Sequence, residues 1–150
     1  MRWTICLAAG LLLSACGGAM EVDGIAFSVN DVVFSTWEEG GSGDNVVVVL
    51  SDAPDLCDGT GLEAGQSSLL IYRRWTGSAA MVLEQYDMTC ALAQRDLSGQ
   101  GWVSLGRQEA GSVDVDFVFP GPDGNMSGRV EARRCLGLDP KRVSDCDPAR

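Results

Sequence analysis

SVDVDFVFPGPDGNMSGRVEARR, residues 112–134, is the stretch whose reading decides the fold. Val113, Val115, Phe117 and Phe119 fall on one side of an extended chain, while Asp114 and Asp116 fall on the other. That period of two belongs to a strand with one buried face and one wet face. After a turn over Pro120–Asn125, Met126, Gly128, Val130 and Ala132 alternate with Ser127, Arg129, Glu131 and Arg133. The pattern predicts an antiparallel hairpin. On its wet face Asp114 or Asp116 would oppose Arg129 or Arg133. Exposed cross-strand pairs of this kind contribute only about 0.2–1 kcal/mol and are not by themselves a sign of function.

The chain upstream repeats the theme in shorter pieces. Ile25, Phe27 and Val29 alternate with polar partners and predict a strand, closed by a turn at Asn30-Asp31. Val32–Trp37 predicts a second strand, and the acidic, Gly-rich Glu38–Asp44 a connection. Asn45–Ser51 holds four consecutive valines and a leucine, which suits an interior strand covered on both faces. Residues 52–66 read as a loop. Ser67–Trp75, Ala80–Met88 and Trp102–Arg107 are further strands, while Cys90–Leu97 mixes helix-favouring and strand-favouring residues and stays unassigned. About eight strands with frequent turns imply an all-β fold, with an antiparallel β-sandwich preferred over a small up-and-down β-barrel.

The N-terminus has a different character. Arg2 is the sole charge in the first twenty residues, and the apolar run Trp3–Leu13 follows it. Eleven helical residues rise only about 16 Å, against a hydrocarbon core of roughly 30 Å. The run therefore fits the apolar core of a secretory signal better than a spanning helix. Leu13, Ser14 and Ala15 stand directly before Cys16, and this tetrad resembles the lipobox of bacterial lipoproteins.

The resemblance implies cleavage before Cys16, a diacylglyceryl group on its thiol, and a further fatty acid such as palmitate on its amino group. Residues 1–15 would then be signal peptide, 16–23 a lipidated tether, and 24–150 one extracytoplasmic domain. Gly17 in place of Asp implies, by the enteric rule, transfer to the outer membrane of a Gram-negative bacterium. The wider pattern, from the lipobox through VVVVLSDAPDLC to a Cys-ended tail, resembles uncharacterised lipoproteins of GC-rich Gram-negative bacteria such as myxobacteria. That group brings no activity to transfer.

After such cleavage the chain carries 21 acidic and 10 basic residues, a net charge of −11. That surface repels phosphate backbones, so nucleic acid is not an expected partner. The sequence contains no histidine, which excludes hydrolases with a His base, most catalytic zinc sites and His-ligated haem. Neither a cofactor nor a metal is expected.

Once Cys6 leaves with the signal and Cys16 takes the lipid, Cys57, Cys90, Cys135 and Cys146 remain. An even number in an oxidising compartment implies two disulfides. Four cysteines allow three pairings, among which sequence alone does not choose; Cys57–Cys90 with Cys135–Cys146 is slightly favoured.

Carboxylates are the remaining candidates for chemistry. Glu38-Glu39 and the group Asp52, Asp55 and Asp58 would suit an enzyme acting on a glycan, which needs two acids flanking a bond. In so acidic a chain, solvated loops explain them more simply. Asp52–Glu63 lacks the spacing of a calcium-binding EF-hand loop, and Asp123-Gly124-Asn125 reads as turn chemistry. Trp37, Trp75 and Trp102 lie at predicted strand ends, where they would either stack on sugars or pack at the rim of the core. No catalytic residue is assigned. The expected role is non-enzymatic binding or envelope structure, with a carboxylate-dependent envelope enzyme as the alternative and a protein or glycan as partner.

Overall fold

The structure, a computed structural model, describes residues 20–38, 44–58, 61–74, 77–97, 101–106, 111–121, 124–136, 138 and 145–148. Among them every extended element is a strand and the only helical element is one 3-10 turn. The central hairpin forms as its alternation requires: β9 (Ser112–Gly121) and β10 (Gly124–Arg134) pair antiparallel, with Phe117 opposite Gly128 and Val115 opposite Val130. Val113, Val115, Phe117, Phe119, Met126, Val130 and Ala132 all enter one buried cluster. The hairpin loop is shorter than expected, because pairing continues to Gly121 and Gly124.

Around this hairpin the strands join into one curled, mixed sheet. β2 (Asp31–Glu38), β3 (Asp44–Ser51), β5 (Ser67–Arg73), β6 (Ala79–Tyr86) and β7 (Leu92–Asp96) follow one another on one side of β10, and β9 and β8 (Trp102–Leu105) on the other. β1 (Glu21–Asp23) also lies on β10, which makes nine strands among the described residues. The all-β expectation holds, but the strands do not divide into the two hydrogen-bonded sheets of an antiparallel sandwich. The link between the two halves is parallel, Arg133 and Arg134 of β10 beside Val33 and Phe34 of β2. The inner face therefore closes on itself by curling. Phe34, Leu50, Ile71 and Met81 from one half meet Val103, Phe117 and Phe119 from the other. Strand twist makes such curling the ordinary course for a sheet this wide. Arg73 Nη1 on β5 reaches the Val103 carbonyl on β8 at 3.4 Å, joining the two halves.

The four valines of β3 are explained by two cores. Val48 and Leu50 face the inside of the curl, and Val47 and Val49 face a second cluster on the outside. There Val33, Leu70 and Tyr86 of the sheet are covered by Ala53, Leu56, Leu62, Cys135 and Leu138. The cover is built from residues 52–58, with the 3-10 turn Leu56–Asp58, from 61–66, with β4 (Leu62–Glu63), to which β11 (Cys146–Asp147) pairs in parallel, and from Cys135 and Leu138. Asp31 fixes this cover to the sheet: its carboxylate accepts the Leu56 N–H at 2.9 Å and the Arg133 guanidinium at 2.9 Å. Tyr72 and Tyr86, on the same face, have their hydroxyl pKa values raised, first by burial and then by the Glu84 carboxylate. Ser68, fully buried there, has a hydroxyl without a hydrogen-bond partner among the described residues. Ser68→Ala is accordingly expected to raise stability by about 1 kcal/mol in urea unfolding; a comparable loss would contradict this reading.

Two disulfides lie in the cover, and they are not the pairs favoured from sequence. Cys57 bonds Cys135 and Cys90 bonds Cys146, with Cα atoms 5.4 and 5.6 Å apart. The reason is topological. Cys135 follows the parallel β10–β2 contact, its N–H donating to Phe34 O at 2.8 Å, and this brings it to the loop that Asp31 anchors. Cys90 sits at φ 60° in the β6–β7 turn. Asp87 shapes that turn by accepting the backbone N–H groups of Thr89 and Ala91 and the Thr89 hydroxyl. These hydrogen bonds, the Thr89 hydroxyl foremost, hold the Asp87 carboxyl below its ordinary range.

Three other expectations change. Residues 25–30 are not a strand, although Ile25, Phe27 and Val29 still pack against the inner core. The span expected as tether, 16–23, contributes β1. Within the unassigned segment 90–97, Leu92–Asp96 form the edge strand β7, whose side chains are exposed.

Candidate functional site

The wet face of the hairpin becomes the centre of a groove because its neighbours on both sides are in register with it. Trp102 on β8 lies across from Val118, Val118 from Ser127, and Ser127 from Asp23. The next outward-facing row is Ser104, Asp116, Arg129 and Glu21. Four adjacent strands thus present an aromatic ring at one end and carboxylates at the other, over about 14 Å at ordinary strand spacing. Val22, Phe117 and Gly128 lie between the two rows, and Met20 completes a groove of about 700 Å³.

Gly128 is required at its place. A Cβ there would stand 2.7 Å from the Phe117 ring and 3.1 Å from the Glu21 carbonyl. Its absence lets β1 and the core close together on β10, which puts Glu21 and Asp23 on the groove wall. Arg129 Nε donates to Asp116 Oδ1 at 2.7 Å. This hydrogen bond, with the charges of Asp116, Glu21 and Asp114 behind it, raises the guanidinium pKa above its ordinary value. The pair is solvent-exposed and adds little to stability. Its consequence is to orient a donor and an acceptor beside the ring. Trp102 itself is 52% exposed.

The other residues singled out from sequence lie elsewhere. Trp37 packs edge-to-face on Tyr72, ring centroids 6.2 Å apart, as rim packing. Trp75, Glu39, Asp123 and Cys16 lie outside the described residues. Asp52 Oδ1 accepts the Ser67 N–H at 2.8 Å, and the Asp55 carbonyl accepts the Asp58 N–H at 3.0 Å. Those two contacts are loop-building ones. The wet-face pairing forms as Asp116–Arg129, whereas Arg133 turns instead to Asp31. Sequence reasoning missed the convergence of Glu21 and Asp23 on Trp102, since nothing local says that β1 pairs with β10 over Ser127–Arg129.

Comparison with family models, with curated proteins and with solved structures finds no match. Function is therefore read from the chemistry of this groove.

Proposed function

We propose that this chain is a lipid-anchored, extracytoplasmic binding domain without catalysis of its own, and that its ligand is a neutral segment of envelope glycan held in the Trp102 groove. The observation that carries the reading is the half-exposed Trp102 indole in one groove with the oriented Asp116–Arg129 pair. An indole left open to water is apolar surface awaiting cover. The C–H face of a sugar ring covers it, while ring hydroxyls both donate to carboxylates and accept from guanidinium. Three groove carboxylates against one guanidinium disfavour phosphate-bearing polymers.

The anchor fits this arrangement. Met20 lines the groove four residues after Cys16, a reach of at most about 14 Å, so lipid on Cys16 would hold the groove close to the bilayer. Two or three acyl chains at about 0.8 kcal/mol per buried methylene make such an anchor effectively permanent. Intact-mass analysis of membrane-extracted protein is expected to show an N-terminal Cys16 carrying the lipid, and Cys16→Ala to remain unacylated. An unmodified thiol at Cys16 would refute the anchor.

Calorimetric titration with neutral oligosaccharides tests the groove. Trp102→Ala is expected to weaken binding by about 2 kcal/mol, roughly thirtyfold in Kd. Trp37→Phe, on β2 in the other half of the sheet, should bind as the unmodified protein does. Equal binding by Trp102→Ala, or none by the unmodified protein, would overturn the reading.

A further inference from the structure

The two sulfurs of the Cys57–Cys135 disulfide differ in access. Cys135 is 2% exposed, whereas Cys57, on the 3-10 turn, is only partly buried. The Arg133 guanidinium directs Nη1 at Cys57 Sγ from 3.1 Å. Its other nitrogen holds the Asp31 carboxylate at 2.9 and 3.2 Å, and Asp31 also accepts the N–H of Leu56, the residue before the cysteine. Sulfur, guanidinium and carboxylate therefore form one fixed row across the turn, β10 and β2. Among the described residues, the ionisable groups about Cys57 are Arg133 on β10, Asp31 on β2, and Asp55 and Asp58 on its own segment.

We propose that Cys57 is the entry sulfur of a thiol–disulfide exchange site, with Cys135 as its resolving partner and Arg133 as the cation that favours the Cys57 thiolate. The reagent is a low-molecular-weight thiol or disulfide, or a dithiol protein. In the oxidising direction the Cys57 thiolate attacks one sulfur of the reagent's disulfide. That bond breaks, its far sulfur leaves as a thiolate, and Cys57 carries a mixed disulfide. Cys135 then gives its proton to solvent and attacks Cys57 Sγ, forming the protein disulfide and expelling the second reagent thiolate. Two protein thiols are oxidised and one reagent disulfide is reduced. The reducing direction retraces this path, with the external thiolate attacking Cys57 and Cys135 leaving. Access dictates that order, since the incoming group reaches Cys57 and is kept from Cys135. A neighbouring guanidinium favours a thiolate, and only the thiolate is the nucleophile.

Reduced glutathione added briefly to the native oxidised protein, followed by acid quench and peptide mapping, is the first test. The mixed disulfide is expected on Cys57. The second is the pH profile of iodoacetamide alkylation of Cys57 in Cys135→Ser protein with Cys90–Cys146 intact. Its midpoint should lie about one pH unit below the ordinary thiol value of about 8.5. Arg133→Gln should return it upward by a similar amount, Arg133→Lys should restore part of the shift, and Asp31→Asn should lower it further by freeing the guanidinium. If Cys135→Ser does not fold, the glutathione mapping of unmodified and Arg133→Gln proteins decides alone, with slower capture at Cys57 expected in the variant. Glutathione first on Cys135, Cys90 or Cys146, or capture and alkylation at Cys57 indifferent to Arg133, would overturn the proposal.

Discussion

Digested without reduction, the oxidised protein is expected to yield peptides joined through Cys57–Cys135 and through Cys90–Cys146. The sequence separations are 78 and 56. Closing loops of that size separately stabilises by about 4–5 kcal/mol each in the chain-entropy model. The loops overlap, so the second bridge adds less than it would alone. Even so, the loss on reducing both is a large part of the roughly 5–15 kcal/mol that holds a domain folded. A thermal scan in a phosphine reductant should show a much lower Tm than the oxidised protein. The damage should begin at the outer core, where Ala53, Leu56, Leu62 and Leu138 are held over Val33, Val47 and Leu70. Peptides linking Cys57 to Cys90, or a Tm indifferent to reduction, would contradict the topology.

Phe117→Ala is expected to cost about 3–5 kcal/mol in urea unfolding. The ring is 1% exposed, lies in the inner cluster and sits against Gly128. Its removal leaves a void where the two halves of the curled sheet meet, and loosens the support of the groove above. A cost below about 1 kcal/mol would mean that the halves do not share one core.

The hairpin was legible in sequence because its period of two is local, and so was the double burial of β3, because four β-branched residues in a row leave no polar face. The single curled sheet was not. It depends on a parallel contact between Arg133–Arg134 and Val33–Phe34, a hundred residues apart, and pairing at that range leaves no periodic trace. The same contact explains the misassigned disulfides: sequence alone did not choose among the pairings, while the crossover carries Cys135 to the loop that holds Cys57. Ile25, Phe27 and Val29 alternate like a strand and are partly buried like one, yet lack a hydrogen-bonding neighbour in the sheet among the described residues. Alternation reports which side chains are buried and is silent on pairing. Of the groove, Trp102, Asp116 and Arg129 were visible as residue types. Their assembly with Glu21 and Asp23 required the register.

By the proposal above, the outer face of β8, β9, β10 and β1 takes a neutral glycan. Nuclear magnetic resonance titration of the isotopically labelled protein with neutral oligosaccharide tests it most directly. The indole N–H of Trp102, the Nε–H of Arg129 and the amides of Glu21–Asp23 and Ser127–Arg129 are expected to shift together along one saturating curve, with the Trp37 indole unmoved. Shifts centred on Trp37 and the covering loop, or no shift at saturating saccharide, would contradict it.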